Sequence, residues 1–427
     1  MPTVPRIFAA LCILGVTTAA HAGEGSIHPS IAVSEEFNDN VLVITPVRVS
    51  DYITRVLPGV VANYDSPLFK GDLNYTFDYR YYAKNSIEHD YTHNLQANGH
   101  LTAVENLLFL DVKDQYQRVS LDVARDMTQT SLFFNQADQN IITVAPYVTL
   151  HPGQRTTMTA GYQYSATRYF DVIGQPYGIN QTSHTGYLNA SYELTQRWTL
   201  KAGYSFTRVL SDFGNLSQHQ GFGGFRYEYA DKSFLFAEGG NTWTLFDAGN
   251  RLNNAYWNAG LTHTFDTIIA TVSTGVRYDQ DPLGNIVKDT FASGDVEKHL
   301  KNGSLKLSLA YHDYVMAAPN LLQTSAFPTQ ISAFSVQTKA YSATVSGDYD
   351  FTSYLSGNFA FSPAKYEEPL LHTYTWQFLV NAGLSYLLAK DLTLTLSYNY
   401  MEFYSPDMLA LDNTHVNRVS IGIKKVF

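Results

Sequence analysis

The segment EHDYTH holds the closest group of side chains that could bind a transition metal. It places His89 and His93 four residues apart, with Glu88 directly before the first histidine. Two histidines at this spacing on one helix face can ligate zinc. The metalloprotease order, in which glutamate follows the first of the two histidines, is absent. We therefore interpret the segment as a solvated surface loop and not as a metal site.

Two further motifs resemble ion-binding or phosphate-binding loops. DQDPLGN offers Asp279 and Asp281 as calcium ligands, but its fifth position is Leu283, where an oxygen ligand is needed. A turn built on proline and glycine is the better interpretation. GFGGF at 221–225 is rich in glycine but lies in an alternating strand, and a phosphate cradle needs a following helix. Neither motif predicts a bound ion or phosphate.

Hydrolytic chemistry would need a nucleophile and a base within hydrogen-bond reach of each other. The chain has 13 histidines and many serines, so pairs of this kind would arise by chance. No local arrangement matches a motif of a barrel-shaped lipase, protease or acyltransferase. We therefore expect no enzymatic activity and no cofactor, and we turn to the elements that carry the polar residues.

Most of the chain alternates apolar and polar residues with a period of two. The pattern is clear in LNYTFDYRYY (73–82), MTAGYQYSAT (158–167) and LTLTLSYNY (392–400). Strict alternation predicts β-strands with one apolar and one polar face. The alternating runs extend over roughly 9–15 residues, whereas globular strands centre near about 5–6. A tilted strand that crosses a membrane needs about 9–11 residues, which fits these runs better.

Aromatic residues and connection lengths separate a membrane barrel from a soluble sandwich. Aromatics gather at strand ends in YRYY (79–82), FRYEY (225–229) and SYNYMEFY (397–404), as in the girdles at the two membrane interfaces. Short connections such as HPGQR and KNGS alternate with long ones such as SPAKYEEPLLHT (362–373). The asymmetry predicts an outer-membrane barrel with short periplasmic turns and long extracellular loops.

The predicted fold is all-β: a transmembrane antiparallel up-and-down β-barrel that forms one domain over residues 23–427. Counting alternating runs gives about 18–20 strands, and 16 strands remain possible. An even count places both termini on the periplasmic side. The long apolar segment from Val315 to Ala333 includes Phe327 and Pro328. It is expected to fold inward and constrict the pore, or to form a lid.

The first 22 residues have the features of a secretory signal peptide. Arg6 precedes an apolar run over 7–16, and the small-x-small triplet AHA at 20–22 marks a cleavage site. Cys12, the single cysteine, lies in this segment, so the mature chain is expected to have no disulfide. The whole chain has a net charge of −10 and no basic block, which argues against nucleic acid as a partner.

The chain ends in an alternating strand, RVSIGIKKVF. Val419, Ile421, Ile423 and Phe427 share one parity. An unpaired strand edge is very costly in lipid, so we expect this strand to close the barrel against the first one. The terminal Phe427 resembles the signal that the barrel-assembly machinery reads in outer-membrane proteins. Lys425 departs from that signal and is expected near the periplasmic rim, where a lysine can reach the headgroups.

SEEFNDN concentrates acidic residues at the end of the first predicted strand. It contains Glu35, Glu36, Asp39 and Asn40. One interpretation is contact with a divalent cation or with lipopolysaccharide at the cell surface. The other, which we favour, is a solvated first loop.

The first third of the sequence resembles a known family. The segments SEEFNDNVLVITPVRVSDYITRVLPGV, LNYTFDYRYYA, LFLDVKDQYQRVSLDVARDMTQTSLFFNQAD and VAPYVTLHPGQRTTMTAGYQY resemble the outer-membrane β-barrel family associated with the PEP-CTERM/exosortase system. The resemblance covers roughly residues 29–168, and the rest has general barrel texture. It implies a Gram-negative outer membrane and an exopolysaccharide locus. The resemblance implies no catalytic residues in this sequence.

The sequence thus predicts a pore or accessory protein in exopolysaccharide secretion or assembly. A general diffusion porin for small solutes, or a closed structural or surface-enzyme barrel, are the alternatives. Expected partners are outer-membrane lipids, the barrel-assembly machinery, and an extracellular polysaccharide with its export proteins. The candidate lumen-lining residues share the polar parity of their strands: Asp78, Arg80, Lys201, Lys306, Arg418 and Lys424.

Overall fold

The structure is a computed structural model. It describes residues 23–43, 47–121, 136–173, 178–212, 214–282, 284–318, 337–370, 372–405 and 413–427. The predicted signal peptide, at 1–22, lies outside the described residues. Leu283 and most of the expected constriction loop, including Phe327 and Pro328, also lie outside them.

The described residues form twenty strands in one sheet. Their bounds are β1 Glu24–Asn38, β2 Asp51–Asp65, β3 Phe69–Tyr82, β4 Asp90–Val104, β5 Leu108–Ser120, β6 Gln136–Gly153, β7 Thr156–Ile173, β8 Gln181–Glu193, β9 Trp198–Ser211, β10 Leu216–Ala230, β11 Ser233–Phe246, β12 Arg251–Thr264, β13 Ile268–Gln280, β14 Ile286–Leu300, β15 Gly303–Ala318, β16 Gln337–Asp350, β17 Leu355–Glu368, β18 Thr373–Ala389, β19 Leu392–Tyr404 and β20 Thr414–Val426. The count agrees with the upper end of the predicted range.

Pairing of the first and last strands closes the barrel. Every strand pairs antiparallel with its neighbours in sequence, and β20 also pairs with β1 from Asn38–Arg418 to Ser30–Val426. The backbone N–H of Phe427 donates to the carbonyl oxygen of Pro29 at 2.8 Å, so pairing continues to the last residue of the sequence. Closure leaves no sheet edge exposed, which is the condition for a sheet to stand in lipid.

Strand register divides the side chains into two faces around the whole wall. Two residues that lie directly opposite each other on paired strands point to the same face of the sheet. When the pairs are traced from β1 to β20, residues on one face remain on that face, except at local bulges. One set is rich in exposed apolar residues, including Ile31, Leu309, Leu396 and Ile421. The other set is rich in serine, threonine, asparagine and charged residues. The apolar set therefore faces lipid and the polar set faces the lumen.

Connection lengths follow the predicted asymmetry, with one correction. Short turns join β2 to β3, β4 to β5 and every later pair at that end of the barrel, which is the periplasmic end. The segment 362–373, predicted as a long loop, lies mostly in β17, which continues to Glu368. The prediction was wrong because Pro363 and the charges of Lys365 and Glu367 hid the alternation.

Aromatic side chains line much of the outer surface near the extracellular end. Tyr79 and Tyr81 of β3 lie on the lipid-facing side, as predicted for a girdle. Tyr82, predicted as part of that girdle, lies on the opposite face and is fully buried.

No helix long and apolar enough to cross a bilayer occurs among the described residues.

At two places in the wall, adjacent strands separate at their extracellular ends: β4 from β5, and β12 from β13. β4 and β5 first pair at Leu95–Tyr116, although β4 begins at Asp90. β12 and β13 first pair at Trp257–Val276, although β12 begins at Arg251. Each of these strands stays paired with its other neighbour. The wall therefore has two seams that open toward the extracellular side.

A pair of adjacent residues tests which face meets hydrocarbon. Leu309→Lys places a charge on the lipid-facing side of β15, where Leu309 is 52% exposed, and a lysine at the bilayer midplane costs about 2–4 kcal/mol. Ala310→Lys places the same charge on the lumen side and should cost far less. The measurement is urea unfolding of the refolded protein in lipid vesicles. Equal losses for the two variants would contradict the assignment of faces.

Candidate functional site in the lumen

A group of charged side chains packs against the wall formed by β1 to β4. Glu36, Arg55, Asp78, Arg80 and Asp90 form this group, which we call the ionic cluster. Asp78 lies at its centre: Arg55 Nη2 is 2.6 Å from Asp78 Oδ2, and Arg80 Nη2 is 2.8 Å from the same oxygen. Arg55 also lies 4.0 Å from Glu36, and Arg80 lies 3.6 Å from Asp90. Two cations thus share one buried carboxylate.

Register explains why these residues meet. Arg55 of β2 lies directly opposite Arg80 of β3, and Arg80 lies directly opposite Asp90 of β4. Two guanidinium groups this close would repel each other, so the carboxylates around them are a requirement of the packing. Arg418 of β20 lies opposite Asn38 of β1 and interacts electrostatically with Glu36.

Across the seam between β4 and β5, Asp90 of the ionic cluster is joined to Arg118 of β5 and Asp138 of β6, which have the parity of the lipid-facing residues on their own strands. Arg118 Nη1 is 2.8 Å from Asp90 Oδ2, and Arg118 Nε is 2.8 Å from Asp138 Oδ1. The side chains of Arg118 and Asp138 are 10% and 2% exposed. These two pairs connect β4, β5 and β6 where backbone pairing between β4 and β5 has ended. They close that seam with charge-assisted hydrogen bonds.

An apolar group lies beside the ionic cluster, nearer the extracellular end. Val41, Ile53 and Tyr82 are almost fully buried against one another, and Ile87 packs on them. Ile53 and Tyr82 belong to the lumen-facing set of β2 and β3. One side of the lumen is therefore filled by side chains from its own wall.

Two connections meet across the extracellular mouth. The backbone N–H of Ile179, between β7 and β8, donates to the carbonyl oxygen of Pro282, between β13 and β14, at 2.9 Å. Asp281 accepts hydrogen bonds from the backbone and the side-chain amide of Asn285 at 2.7 and 2.8 Å. This carboxylate stabilises a turn, as predicted for DQDPLGN. The contact between the two connections narrows the mouth.

The six residues predicted to line the lumen lie in three different surroundings. Asp78 and Arg80 belong to the ionic cluster, and Arg418 lies next to it. Lys306 of β15 lies 3.4 Å from Asp295 Oδ1. Lys201 and Lys424 are exposed on the lumen-facing set of β9 and β20. The sequence did not single out Arg55, Asp90, Arg118 or Asp138, because they come from different strands and meet only through register and across the seam.

Two interpretations of acidic and histidine motifs need correction. The sequence predicts SEEFNDN as a solvated loop, but Glu36 and Asn40 are 9% and 0% exposed. They are buried because neighbouring strands supply Arg55 and polar partners such as Thr414, whose hydroxyl accepts a hydrogen bond from Asn40 at 3.0 Å. The sequence also predicts EHDYTH as a loop, but its last four residues begin β4, and His93 Nδ1 lies 2.9 Å from the Tyr75 hydroxyl.

The described part of the chain contains no group of three or more histidine, cysteine, aspartate or glutamate side chains placed to hold an ion.

At the periplasmic rim, Lys425 hydrogen-bonds Asp391. This bond lowers the pKa of Asp391 below its usual range, since it favours the charged carboxylate. Lys425 thus lies at the rim, as the sequence predicted.

Comparison with solved structures agrees with this architecture. A mutant of the ferric enterobactin receptor PfeA from Pseudomonas aeruginosa superimposes with a TM-score of 0.54 and 11% identity, over 94% of this chain and 80% of that one. The FrpB iron transporter from Neisseria meningitidis gives a TM-score of 0.53 and 10% identity, over 94% and 82%. Such low identities show the fold alone. No protein-family model and no curated protein matches the sequence.

The closed sheet, the lipid-facing apolar belt and the polar lumen define the class. The chain is an outer-membrane β-barrel protein, and the bacterial outer membrane is its location.

The central carboxylate of the ionic cluster gives a direct test of its role. Asp78→Ala leaves Arg55 and Arg80 uncompensated and should lower the free energy of unfolding by about 3–5 kcal/mol, as expected for one partner of a buried pair. Urea unfolding in lipid vesicles measures the loss.

Asp72→Ala is the matched control, because Asp72 lies on the same strand and face. Asp72 is exposed and accepts one hydrogen bond from Asn98 at 2.7 Å, so its loss should cost at most about 1 kcal/mol. A loss as small for Asp78→Ala as for the control would contradict the central role of Asp78.

Proposed function

We propose that this barrel is a pore or accessory protein in the secretion or assembly of an extracellular polysaccharide. The observation that carries the proposal is the lumen-facing set, which is rich in serine, threonine, asparagine and charged residues. A hydrated path suits a hydrophilic polymer, and water-filled lumens are what large barrels enclose. The sequence resemblance over residues 29–168 supports the polymer as cargo.

The path we propose runs along the walls that the ionic cluster leaves uncovered. Hydroxyl groups pair across neighbouring strands there, so they satisfy each other and present small side chains to the lumen. The paired oxygens are those of Thr185 and Thr207 at 2.9 Å, Ser273 and Ser293 at 2.7 Å, and Thr344 and Ser362 at 3.0 Å. Passage along such walls needs no cofactor and no chemical step.

Assembly into the membrane completes the proposal. Phe427 and the alternate apolar residues of β20 would be read by the barrel-assembly machinery. Outer-membrane lipids would then surround the apolar belt. The lipid partner follows from the need to cover the apolar face of every strand, and the assembly machinery from the resemblance of the terminal Phe427 to an outer-membrane sorting signal.

A general diffusion porin is the second candidate. The observation that favours it is the mixture of charges on the lumen-facing set. Lys306 lies beside Asp295, and Lys201 lies on the same row as Glu238, two strands away. A path with both signs would pass small solutes without strong selection by charge.

A deletion strain separates the two candidates. If the barrel serves polysaccharide export, its loss should leave polymer in the periplasm and reduce polymer at the cell surface. The measurement is polymer content in periplasmic and surface fractions, with plasmid-borne protein as the rescue control. Normal surface polymer together with reduced uptake of small solutes would favour the porin.

Lumenal lysines should set the ion preference of an open path. Replacing Lys201 and Lys306 with glutamate should shift the reversal potential in planar bilayers toward cation preference, because both side chains lie on the lumen-facing set. Lys298→Glu is the control, since Lys298 lies on the lipid-facing set near the periplasmic end of β14. An unchanged reversal potential in the double variant would show that the two lysines do not line an open path.

A further inference from the structure

Aromatic side chains and glycines alternate along the lumen wall from β5 to β12. Phe109 of β5 lies opposite Tyr147 of β6, which lies opposite Gly161 of β7, which lies opposite Tyr187 of β8. The rings of Phe109 and Tyr147 stack with centroids 5.2 Å apart. All belong to the lumen-facing set. They form one continuous row across four strands.

The series continues on the next row of the same wall. Gly203 of β9 lies opposite Phe222 of β10, which lies opposite Gly240 of β11, which lies opposite Tyr256 of β12. The rings of Phe222 and Tyr256 lie against Gly203 and Gly240. Tyr187, Phe222 and Tyr256 are thus each matched with a glycine on the preceding strand.

Close approach explains the glycines. A Cβ atom at position 161 would lie 2.5 Å from the Tyr187 hydroxyl oxygen, and one at position 203 would lie 2.3 Å from Phe222 Cε1. A side chain at either position would meet the ring in its present orientation, so each ring leans across the wall over a neighbouring glycine. The rings are half-buried. Each ring therefore keeps part of its surface toward the lumen.

A cavity of about 560 Å³ lies over the middle of this series. Its lining includes Tyr147, Tyr187 and Phe222 together with polar side chains. The polar members are Asp111, Thr159, Gln163, Thr185, Asn189, Ser205 and Gln220. Apolar faces with a few placed amides, hydroxyls and a carboxylate are the make-up of a small-molecule site.

The series also climbs through the lumen. Phe109 is the second residue of β5 from its periplasmic end, whereas Tyr256 is the sixth residue of β12 from its extracellular end. Tyr147 and Tyr187 are two strands apart, about 10 Å by strand spacing, a length comparable to that of a disaccharide. The rings thus form successive platforms between the two membrane faces.

From this geometry we infer that Tyr147, Tyr187 and Phe222 form a carbohydrate-binding track for uncharged pyranose rings. The axial C–H face of a pyranose is apolar and stacks on an aromatic ring, while its equatorial hydroxyls reach Gln163, Asn189 and Gln220. The track deepens the proposed function, on which it rests, since it gives the pore a reason to prefer a sugar polymer. Weak, repeated sites would guide a chain without holding it.

Ring-on-glycine packing could also serve the wall alone, as aromatic side chains covering glycines do in sheets. Phe236 of β11 allows the two roles to be separated. It lies on the lumen-facing set against Gly260 of β12, with its Cε1 2.7 Å from a Cβ built there, but it does not line the cavity. Phe236→Ala therefore removes a ring-on-glycine pair and leaves the track intact.

The test is isothermal titration of the purified full-length barrel in detergent with cellohexaose, maltohexaose and N-acetylchitohexaose. At least one oligosaccharide should bind, and Tyr187→Ala should weaken that binding about tenfold, equivalent to about 1.4 kcal/mol. Tyr187→Phe should keep the affinity, because the ring face remains. Phe236→Ala should also keep it, and thermal unfolding should show similar stability for both alanine variants.

Failure of the track and failure of the proposed function give different results. If none of the three oligosaccharides binds, or if Phe236→Ala weakens binding as much as Tyr187→Ala does, the track is overturned, whatever the deletion strain shows. If binding behaves as expected while the deletion strain exports polymer normally, the track stands and the export proposal fails.

Discussion

Backbone hydrogen bonding in a medium without water is the constraint on which the rest of this structure depends. An unpaired N–H or carbonyl group in hydrocarbon costs several kcal/mol, so a sheet can cross the membrane only if it closes. Here the closing pair is β1 with β20, which reaches from Asn38–Arg418 to the backbone of Phe427. Once the sheet is closed, every strand has one face in lipid and one toward the lumen, and alternation follows.

Closure creates a second problem, because the inner face must be hydrated or filled. Along β1 to β4 it is filled, by the ionic cluster around Asp78 and by the apolar group of Val41, Ile53 and Tyr82. Buried charges stabilise a fold only where each has its partners, and register supplies them. Along β5 to β12 the wall instead carries a series of rings, most of them laid over glycines, with amides and hydroxyls between them. The two sides of one lumen thus have different chemistry, which favours a path along the second.

Sequence alone was sufficient for what depends on local pattern. Alternation predicted the class of fold, the strand count within its stated range and the short periplasmic turns, since each is encoded in consecutive residues. It was not sufficient where partners come from distant strands. Glu36 was predicted to be solvated because its partner Arg55 lies on another strand. Tyr82 was predicted in the girdle beside Tyr81, but consecutive residues of a strand point to opposite faces, so Tyr82 faces the lumen. The series of rings and glycines is invisible without register, as its members are tens of residues apart.

The most direct test of the account is a cysteine and spin-label scan of β15 from Leu305 to Ala310 in lipid vesicles. If the apolar set meets hydrocarbon, labels at 305, 307 and 309 should be accessible to oxygen and shielded from a water-soluble nickel reagent. Labels at 306, 308 and 310 should show the opposite. Accessibilities without a period of two, or with the phases exchanged, would contradict a water-filled lumen and everything inferred from it.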